Sequence, residues 1–342
     1  MTLGVAMLSA CGKETSVDTA DTKQESADTD ESAQEKVDQS AYPIEIETAF
    51  GTVTIDEKPE RIATVGWANH DIPIALGVTP VGVSKANYGL LDDNGLLFWS
   101  NDGLKAIGEE EPVVFDDVDG IDFEAVAAVE PDVILAAYSG ITQEEYDTLS
   151  QIAPVVAYES QPWATDWRTM TRLDSKGMGM EAEGEALISE VEAFIDEQLA
   201  QYPDMEGKTA AFVYFDPTDL GSFYVYTSLD PRALFLNDLG LTIPEEVKAI
   251  DDGTSFTISI SSENIDLLKN LDLIITYGDD TTLAALQADS LVSQVPAVAN
   301  GAVVVMDNNS AIAASCTPSP LSIKATLPEY LEMINQALSN AK

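Results

Sequence analysis

One histidine, His70, and two cysteines, Cys11 and Cys316, are the only imidazole and thiol groups in this chain. A single imidazole cannot assemble a His-based catalytic metal centre. A Ser-His-Asp triad would have to use His70 as its base. The sequence has no G-x-S-x-G elbow, no P-loop and no H-E-x-x-H helix to support hydrolytic or phosphoryl chemistry. Gly177, Gly179 and Gly184 lack the spacing of a dinucleotide loop and fall in a helical stretch, not after a strand. No D-x-D-x-D-G calcium loop occurs, and the acids are scattered. His70, in the run Trp67-Ala68-Asn69-His70-Asp71, sits at a helix start. It reads as a capping or cleft-wall residue, or as a ligand contact. Cys316 lies in an Ala/Ser/Thr/Pro-rich loop and reads as a small buried residue, not a nucleophile. No catalytic and no metal-ligating residue is expected.

The chemistry that remains is non-covalent. Trp67, Tyr138 and Tyr277 follow predicted strands, and Tyr88, Trp99 and Trp163 lie in the loops beyond them. In an open α/β sheet, ligands bind outside the carboxyl ends of the strands. Aromatic side chains there offer a large contact area to a small molecule. Arginine is scarce. Arg61 precedes the first core strand and reads as structural, while Arg168 and Arg172 lie on or before a long helical stretch. Arg232 opens a helix after Ser228-Leu229-Asp230-Pro231, facing the presumed cleft. It could donate bidentately to an anionic ligand, or it could pair with Asp230 or a nearby acid.

A repeated unit positions these groups. Ile121–Gly140 reads as a short helix, a turn at Pro131 and a strand ending on Tyr138. Ile258–Gly278 repeats the plan and ends near Tyr277. Glu124 precedes Asp132 much as Glu263 precedes Asp272, and each Asp opens an apolar run. Two copies far apart in sequence predict two similar lobes. Around the first copy the pattern predicts a hairpin from Ile44 and strands at Ile62–Gly66, Val78–Ser84 and Val155–Tyr158. Helices are predicted at Asn69–Leu76 and Gln143–Leu149, and an aromatic loop from Lys85 to Ile107. Strands alternating with helices indicate a parallel, two-layered α/β lobe. Residues 165–203 read as one long helix whose only strong breaks are Gly177, Gly179 and Gly184, with an apolar face through Leu187, Val191 and Ile195. The second lobe starts with a strand at Thr209–Phe215. A helix at Pro231–Leu239, a strand at Ala302–Met306 and a closing helix at Ile323–Leu338 follow. The domain plan is therefore 44–164, 165–203 and 204–342.

At 342 residues the chain can bury two cores. A net charge of −44 would repel nucleic acid and anionic headgroups, so nucleic-acid binding is set aside. Residues 1–11 end in an apolar run of small residues that stops at Cys11, too short to span a bilayer and similar to the end of a signal peptide. No Lys or Arg precedes Cys11, which places the expected start upstream. Residues 12–43 carry almost no large apolar side chain and are expected to form a disordered acidic tether.

Together these segments resemble the iron-siderophore class of substrate-binding lipoproteins of ABC importers. The residues that carry the resemblance are Leu8-Ser9-Ala10-Cys11, Pro59-Glu60-Arg61-Ile62, Ala75–Val83, Phe123-Glu124 with Glu130–Leu135, and Ser262–Ile265. The resemblance implies two Rossmann-like α/β lobes bridged by one long helix, the class III periplasmic-binding-protein type. It implies capture of a ferric siderophore between the lobes, delivery to the permease and no enzymatic activity. The chelate arrives with its iron saturated, so no cofactor and no protein ligand to the metal is required. Manganese and zinc binders of related folds would need several histidines. By resemblance the ligand-binding set is Trp67, Asn69, Tyr88, Trp99, Tyr138, Trp163, Arg232 and Tyr277. Glu124 and Glu263, one on each lobe, would dock onto arginines of the permease, and Cys11 would take the lipid that anchors a monomer outside the cytoplasm. The alternative on the same fold is haem or a corrinoid, with His70 or Tyr88 as axial ligand. An enzyme using His70 as base, or an adhesion lipoprotein, would be readings from other classes.

Overall fold

The structure, a computed structural model, describes residues 42–117 and 119–340. Cys11 and most of the acidic tether lie outside the described residues. The first lobe opens with an antiparallel hairpin, β1 (Ile44–Thr48) and β2 (Gly51–Ile55). Then come β3 (Ile62–Thr64), α1 (Asp71–Ala75), β4 (Val83–Ser84), α2 (Phe98–Ala106), β5 (Val114–Phe115), α3 (Phe123–Ala128), β6 (Val133–Ala136), α4 (Gln143–Leu149) and β7 (Val155–Ala157). Strands β3, β6 and β7 pair in parallel, as do β4 and β5. A single parallel bridge, Ala63 to Gly82, joins the two groups. The central strands β3, β6 and β7 are buried at every position, which is why they read as continuous apolar runs.

Helices α5 (Trp167–Gly177) and α6 (Glu181–Leu199) lead to the second lobe. It contains β8 (Ala210–Asp216), β9 (Asp219–Tyr226), α7 (Pro231–Asp238), α8 (Glu245–Lys248), β10 (Thr257–Ser261) and a 3-10 segment, Ser262–Leu268. Next are β11 (Leu273–Gly278), α9 (Thr282–Ala288), α10 (Pro296–Asn300), β12 (Val303–Asp307), α11 (Ala311–Ser315) and α12 (Pro320–Asn340). The sheet order is β10-β9-β8-β11-β12. Strands β8, β11 and β12 run parallel, whereas β9 and β10 are antiparallel additions.

The repeated aspartates do the same job in both lobes. Asp132 accepts from the backbone N–H groups of Glu60 and Arg61, each at 2.9 Å, and so sets the start of β3 against β6. Asp272 accepts from the Thr209 N–H at 2.9 Å and sets β8 against β11. Arg61 is structural. Its Nε donates to the Glu130 carbonyl at 2.8 Å and closes the C-terminal end of α3.

Three readings change. First, the stretch 165–203 is two helices, not one. It breaks at Met178–Met180, where Gly179 takes φ +68° and a Cβ would lie 1.9 Å from the Tyr42 hydroxyl. Helix α6 then packs back along α5, because Gly184 leaves room for Ser175; a Cβ there would meet Ser175 Oγ at 2.0 Å. Second, the loop expected from Lys85 to Ile107 contains α2, whose face buries Trp99 and Leu104. Third, the start of the second repeat, Ile258, belongs to β10, so the helical part of that copy shrinks to the 3-10 segment.

A further connection joins the lobes. Helix α12 contacts α6 and also α1 and α2 of the first lobe. At its N-terminus Ser319 donates a hydrogen bond to the Asp71 carboxylate. Asp71 also accepts from Ser100 Oγ at 2.7 Å and from Trp99 Nε1 at 3.1 Å. Asp71, Ser100 and Ser319 are all fully buried. A buried carboxylate with three donors at a helix N-terminus is a satisfied charge, and here it clasps the lobes together.

Candidate ligand cleft

A cavity of about 340 Å³ lies between the lobes, at the carboxyl ends of their sheets. The first lobe supplies Trp67, Asn87, Tyr88, Tyr138 and Trp163. Trp67 leaves β3 through Gly66, whose φ of +82° lets the chain turn hard against Ser139. Asn69 does not line the cavity. Its amide donates to the carbonyls of Val65 (2.7 Å) and Tyr138 (3.0 Å) and accepts from the Tyr138 N–H (2.9 Å). It thus ties the loop after β3 to the loop after β6 and positions Trp67 and Tyr138. Trp163 packs edge-on against Tyr138, with ring centroids 5.3 Å apart. Tyr88 reaches across the cleft. Its hydroxyl donates to Asn308 Oδ1 at 2.9 Å, and its ring meets Tyr277 at 5.6 Å.

The second lobe supplies Tyr214 and Tyr226 from its sheet, Phe256 before β10, Tyr277 at the end of β11, Arg232 on α7, and Asn308, Ala314 and Thr317. Behind them Phe212 touches both Tyr226 and Tyr277 and holds the aromatic wall. Burial pushes the phenols of Tyr88, Tyr138 and Tyr277 upward, so all three stay protonated, and the Tyr277 hydroxyl donates to the Ala313 carbonyl at 3.4 Å.

Among the described residues Arg232 is the only charged side chain lining this cavity. Its guanidinium stacks over Tyr226, 4.5 Å from the ring centre. Its bidentate edge, however, is taken. Nε donates to Asp230 Oδ1 at 2.7 Å and Nη2 to Asp230 Oδ2 at 2.6 Å. Asp230 is fully buried and also caps α7, accepting from the Arg232 N–H at 2.9 Å. Burial would lower the Arg232 pKa, but the hydrogen bonds and charge of Asp230 outweigh it and hold the group protonated. The ion pair leaves the cleft without net charge.

Six of the eight residues expected from sequence therefore meet in one cavity: Trp67, Tyr88, Tyr138, Trp163, Arg232 and Tyr277. Asn69 and Trp99 do not. Trp99 is 5% exposed and its indole N–H is committed to Asp71. His70 is also away from the cavity, buried beside Ser100 at 3.1 Å. Burial lowers its pKa despite the nearby Asp71 and Asp117. It does not present an axial ligand to the cleft. Cys316 is buried and its thiol is pushed up to about 12 by burial, which leaves it unreactive. Among the described residues no group of three or more His, Cys, Asp or Glu side chains could hold a metal ion. Tyr214, Tyr226, Phe256 and Asn308 were not expected. Asn308 directly follows β12 and could have been found by the carboxyl-end rule. Tyr214 and Tyr226 lie within strands, where alternation alone does not say which face meets a ligand.

Glu124 and Glu263 are both exposed, each in the first turn of the helical segment of its repeat. Among the described residues no helix is long and apolar enough to cross a membrane.

Comparison with known proteins agrees with this architecture. The chain is similar to the Fe(3+) dicitrate-binding periplasmic protein FecB of Escherichia coli, 24% identical over 287 residues, covering 79% of this chain and 84% of that protein. Among solved structures it resembles Streptococcus pneumoniae PiaA in complex with ferrichrome, at 50% identity and a TM-score of 0.84, over 87% of this chain and all of that one. It shares the fold of Staphylococcus aureus SirA complexed with staphyloferrin B, at 23% identity and a TM-score of 0.66, over 85% of this chain and 98% of that one. Residues 62–310 match the periplasmic binding protein family, and the chain belongs to that family.

Proposed function

We propose that the cleft captures an uncharged ferric siderophore, of the tris-hydroxamate kind, and that the protein delivers it to an ABC permease for iron uptake. The observation that carries this reading is the charge of the cleft. Arg232, the only cation among the described residues that line it, is neutralised by the fully buried Asp230. Three hydroxamates cancel the charge of ferric iron, whereas three catecholates leave the chelate trianionic. A trianion entering this cleft would lose its hydration and meet no uncompensated cation, while the chain as a whole carries −44. A neutral chelate has no such cost. It gains aromatic contact from both lobes, and the polar groups that line the cleft can orient it without an opposing charge. The similarity to PiaA in complex with ferrichrome supports the same class.

Glu124 and Glu263 would meet the permease, one from each lobe. Their exposure at equivalent places in the repeat supports this role. Lipid on Cys11 would hold a monomer at the outer face of the membrane. The test of the ligand is tryptophan quenching, since Trp67 and Trp163 line the cleft. Ferrichrome is expected to saturate the signal at micromolar concentration or below, and ferric tris-catecholate, ferric citrate and hemin are not. Tighter binding of hemin or of the catecholate would overturn the reading.

A further inference from the structure

Behind Trp67 and Trp163, on the first-lobe side, lies a second cavity of about 240 Å³. It shares Trp67, Asn87 and Trp163 with the main cleft, so the two spaces adjoin at these residues. The Trp163 indole lies directly on Gly140, where a Cβ would come within 2.3 Å of its Nε1. The backbone of Trp163 is at φ +60°, a conformation uncommon for a bulky residue, and is held by a 3.0 Å bond from its N–H to the Ser139 carbonyl. The partition is thus built at some cost, over a glycine that makes room for it.

The chemistry behind the partition differs from that in front. The main cleft is aromatic and its one ion pair is closed. The second cavity is lined by Asp117, Glu145 and Lys85, with the buried Ser84 at its base. The Lys85 ammonium pairs with Asp116, 3.4 Å away, which does not line the cavity. Asp117 Oδ2 accepts from Ser84 Oγ at 2.5 Å, which fixes the carboxylate in place. Glu145 Oε2 caps α4 through the Thr142 N–H at 2.7 Å. Lys85 also lines the cavity but its charge is shared with Asp116, so the two carboxylates of Asp117 and Glu145 outweigh it in this concave space beside the ligand cleft. Burial pushes the Asp117 carboxyl upward, a cost that an entering cation would offset.

We propose that this cavity receives a pendant arm of the chelate that ends in a protonated amine, with Asp117 as its charge partner. The proposal rests on the reading that an uncharged ferric chelate fills the main cleft. The iron centre stays among the aromatic rings, and the arm passes Trp67 and Trp163, whose indole faces favour a cation. Arms ending in a carboxylate are disfavoured by the same acids. Arms ending in a neutral amide gain nothing from them.

Two linear ferric tris-hydroxamates test this directly: ferrioxamine B, whose arm ends in an ammonium, and its N-acetyl derivative, whose arm has the same length and no charge. Ferrichrome is titrated alongside, all by tryptophan quenching at low salt. Ferrioxamine B is expected to bind about tenfold tighter than the acetylated chelate, as for one hydrogen bond to a charged group. Asp117→Asn is expected to reduce that ratio to about one, with a thermal melt verifying its fold. Equal affinities in the unmodified protein overturn the proposal without needing any variant, and a ratio that survives Asp117→Asn overturns the role of Asp117. Saturable ferrichrome binding beside equal affinities confines the failure to the second cavity. Failure of all three chelates to bind overturns the reading of the cleft and this proposal with it.

Discussion

Replacing Asp230 with asparagine should convert a charge-neutral cleft into a cationic one and change which chelates it prefers. The side chain keeps a carbonyl oxygen for the Arg232 N–H, so α7 retains its cap. What is lost is the negative charge that engages Nε and Nη2 of Arg232. The Arg232 side chain is 18% exposed, on the side that lines the cleft. A unit charge about 7 Å from it, at an effective dielectric constant of about 20, gains about 2 kcal/mol. That corresponds to roughly thirtyfold in affinity. For Asp230→Asn the ratio of affinities, ferric tris-catecholate over ferrichrome, should therefore rise by at least about thirtyfold. The gain should shrink in high salt, because the mouth of the cleft is open to solvent. The assay is paired quenching titrations in low and high salt, with a thermal melt to verify folding. The melt should show a loss of about 1–3 kcal/mol, since Arg232 keeps water on one side but loses its ionic partner. A folded variant whose ratio does not move would refute the argument that charge balance selects the ligand.

Other outcomes follow from the same structure. Asp71→Ala leaves Trp99, Ser100 and Ser319 as buried donors without their acceptor. It should cost about 3 kcal/mol in chemical denaturation and weaken ferrichrome binding through the loss of lobe alignment. Charge reversal at both Glu124 and Glu263 should abolish uptake by whole cells and leave ferrichrome affinity intact; a fall in affinity would place them in the cleft. Asp174 is fully buried on α5, with the Ala137 backbone beside its carboxyl and no charged partner among the described residues. Burial raises its pKa well above the ordinary value. The folded state therefore holds its proton where the unfolded chain has released it. The resulting stability is present below the unfolded pKa of about 4 and is lost as pH rises towards the raised folded value. Asp174→Leu, of similar shape, should stabilise the protein by about 1–3 kcal/mol at neutral pH, with a smaller gain near pH 4, as read from melts at both.

Much of the fold could be read because its strands are buried on both faces and appear as unbroken apolar runs, as in Val133–Ala136 and Leu273–Gly278. The site was legible in part for a related reason. Residues such as Trp67, Tyr138 and Tyr277 fall at strand ends, where topology alone brings them together. Trp99 was misplaced because α2 was hidden in a polar stretch, and a buried tryptophan bonded to Asp71 has the same local sequence as one facing a ligand. The partner of Arg232 could not be chosen from sequence, since Asp230 two residues away and an incoming anion would compete for the same fork. Gly179 could not be told from Gly177 and Gly184 as the point where the helix breaks, for another reason. Glycine is tolerated inside helices, and only the close approach of Tyr42 shows why this one ends α5. Asp71 gave no signal at all, because its donor Ser319 lies in the other lobe.

The central claim is that a cleft with a closed ion pair takes an uncharged ferric chelate. Native mass spectrometry of the protein with equimolar ferrichrome and a ferric tris-catecholate tests it most directly, because both compete for one site in one spectrum. The account predicts a single adduct at the mass of the ferrichrome complex. A dominant adduct at the mass of the catecholate complex would contradict it.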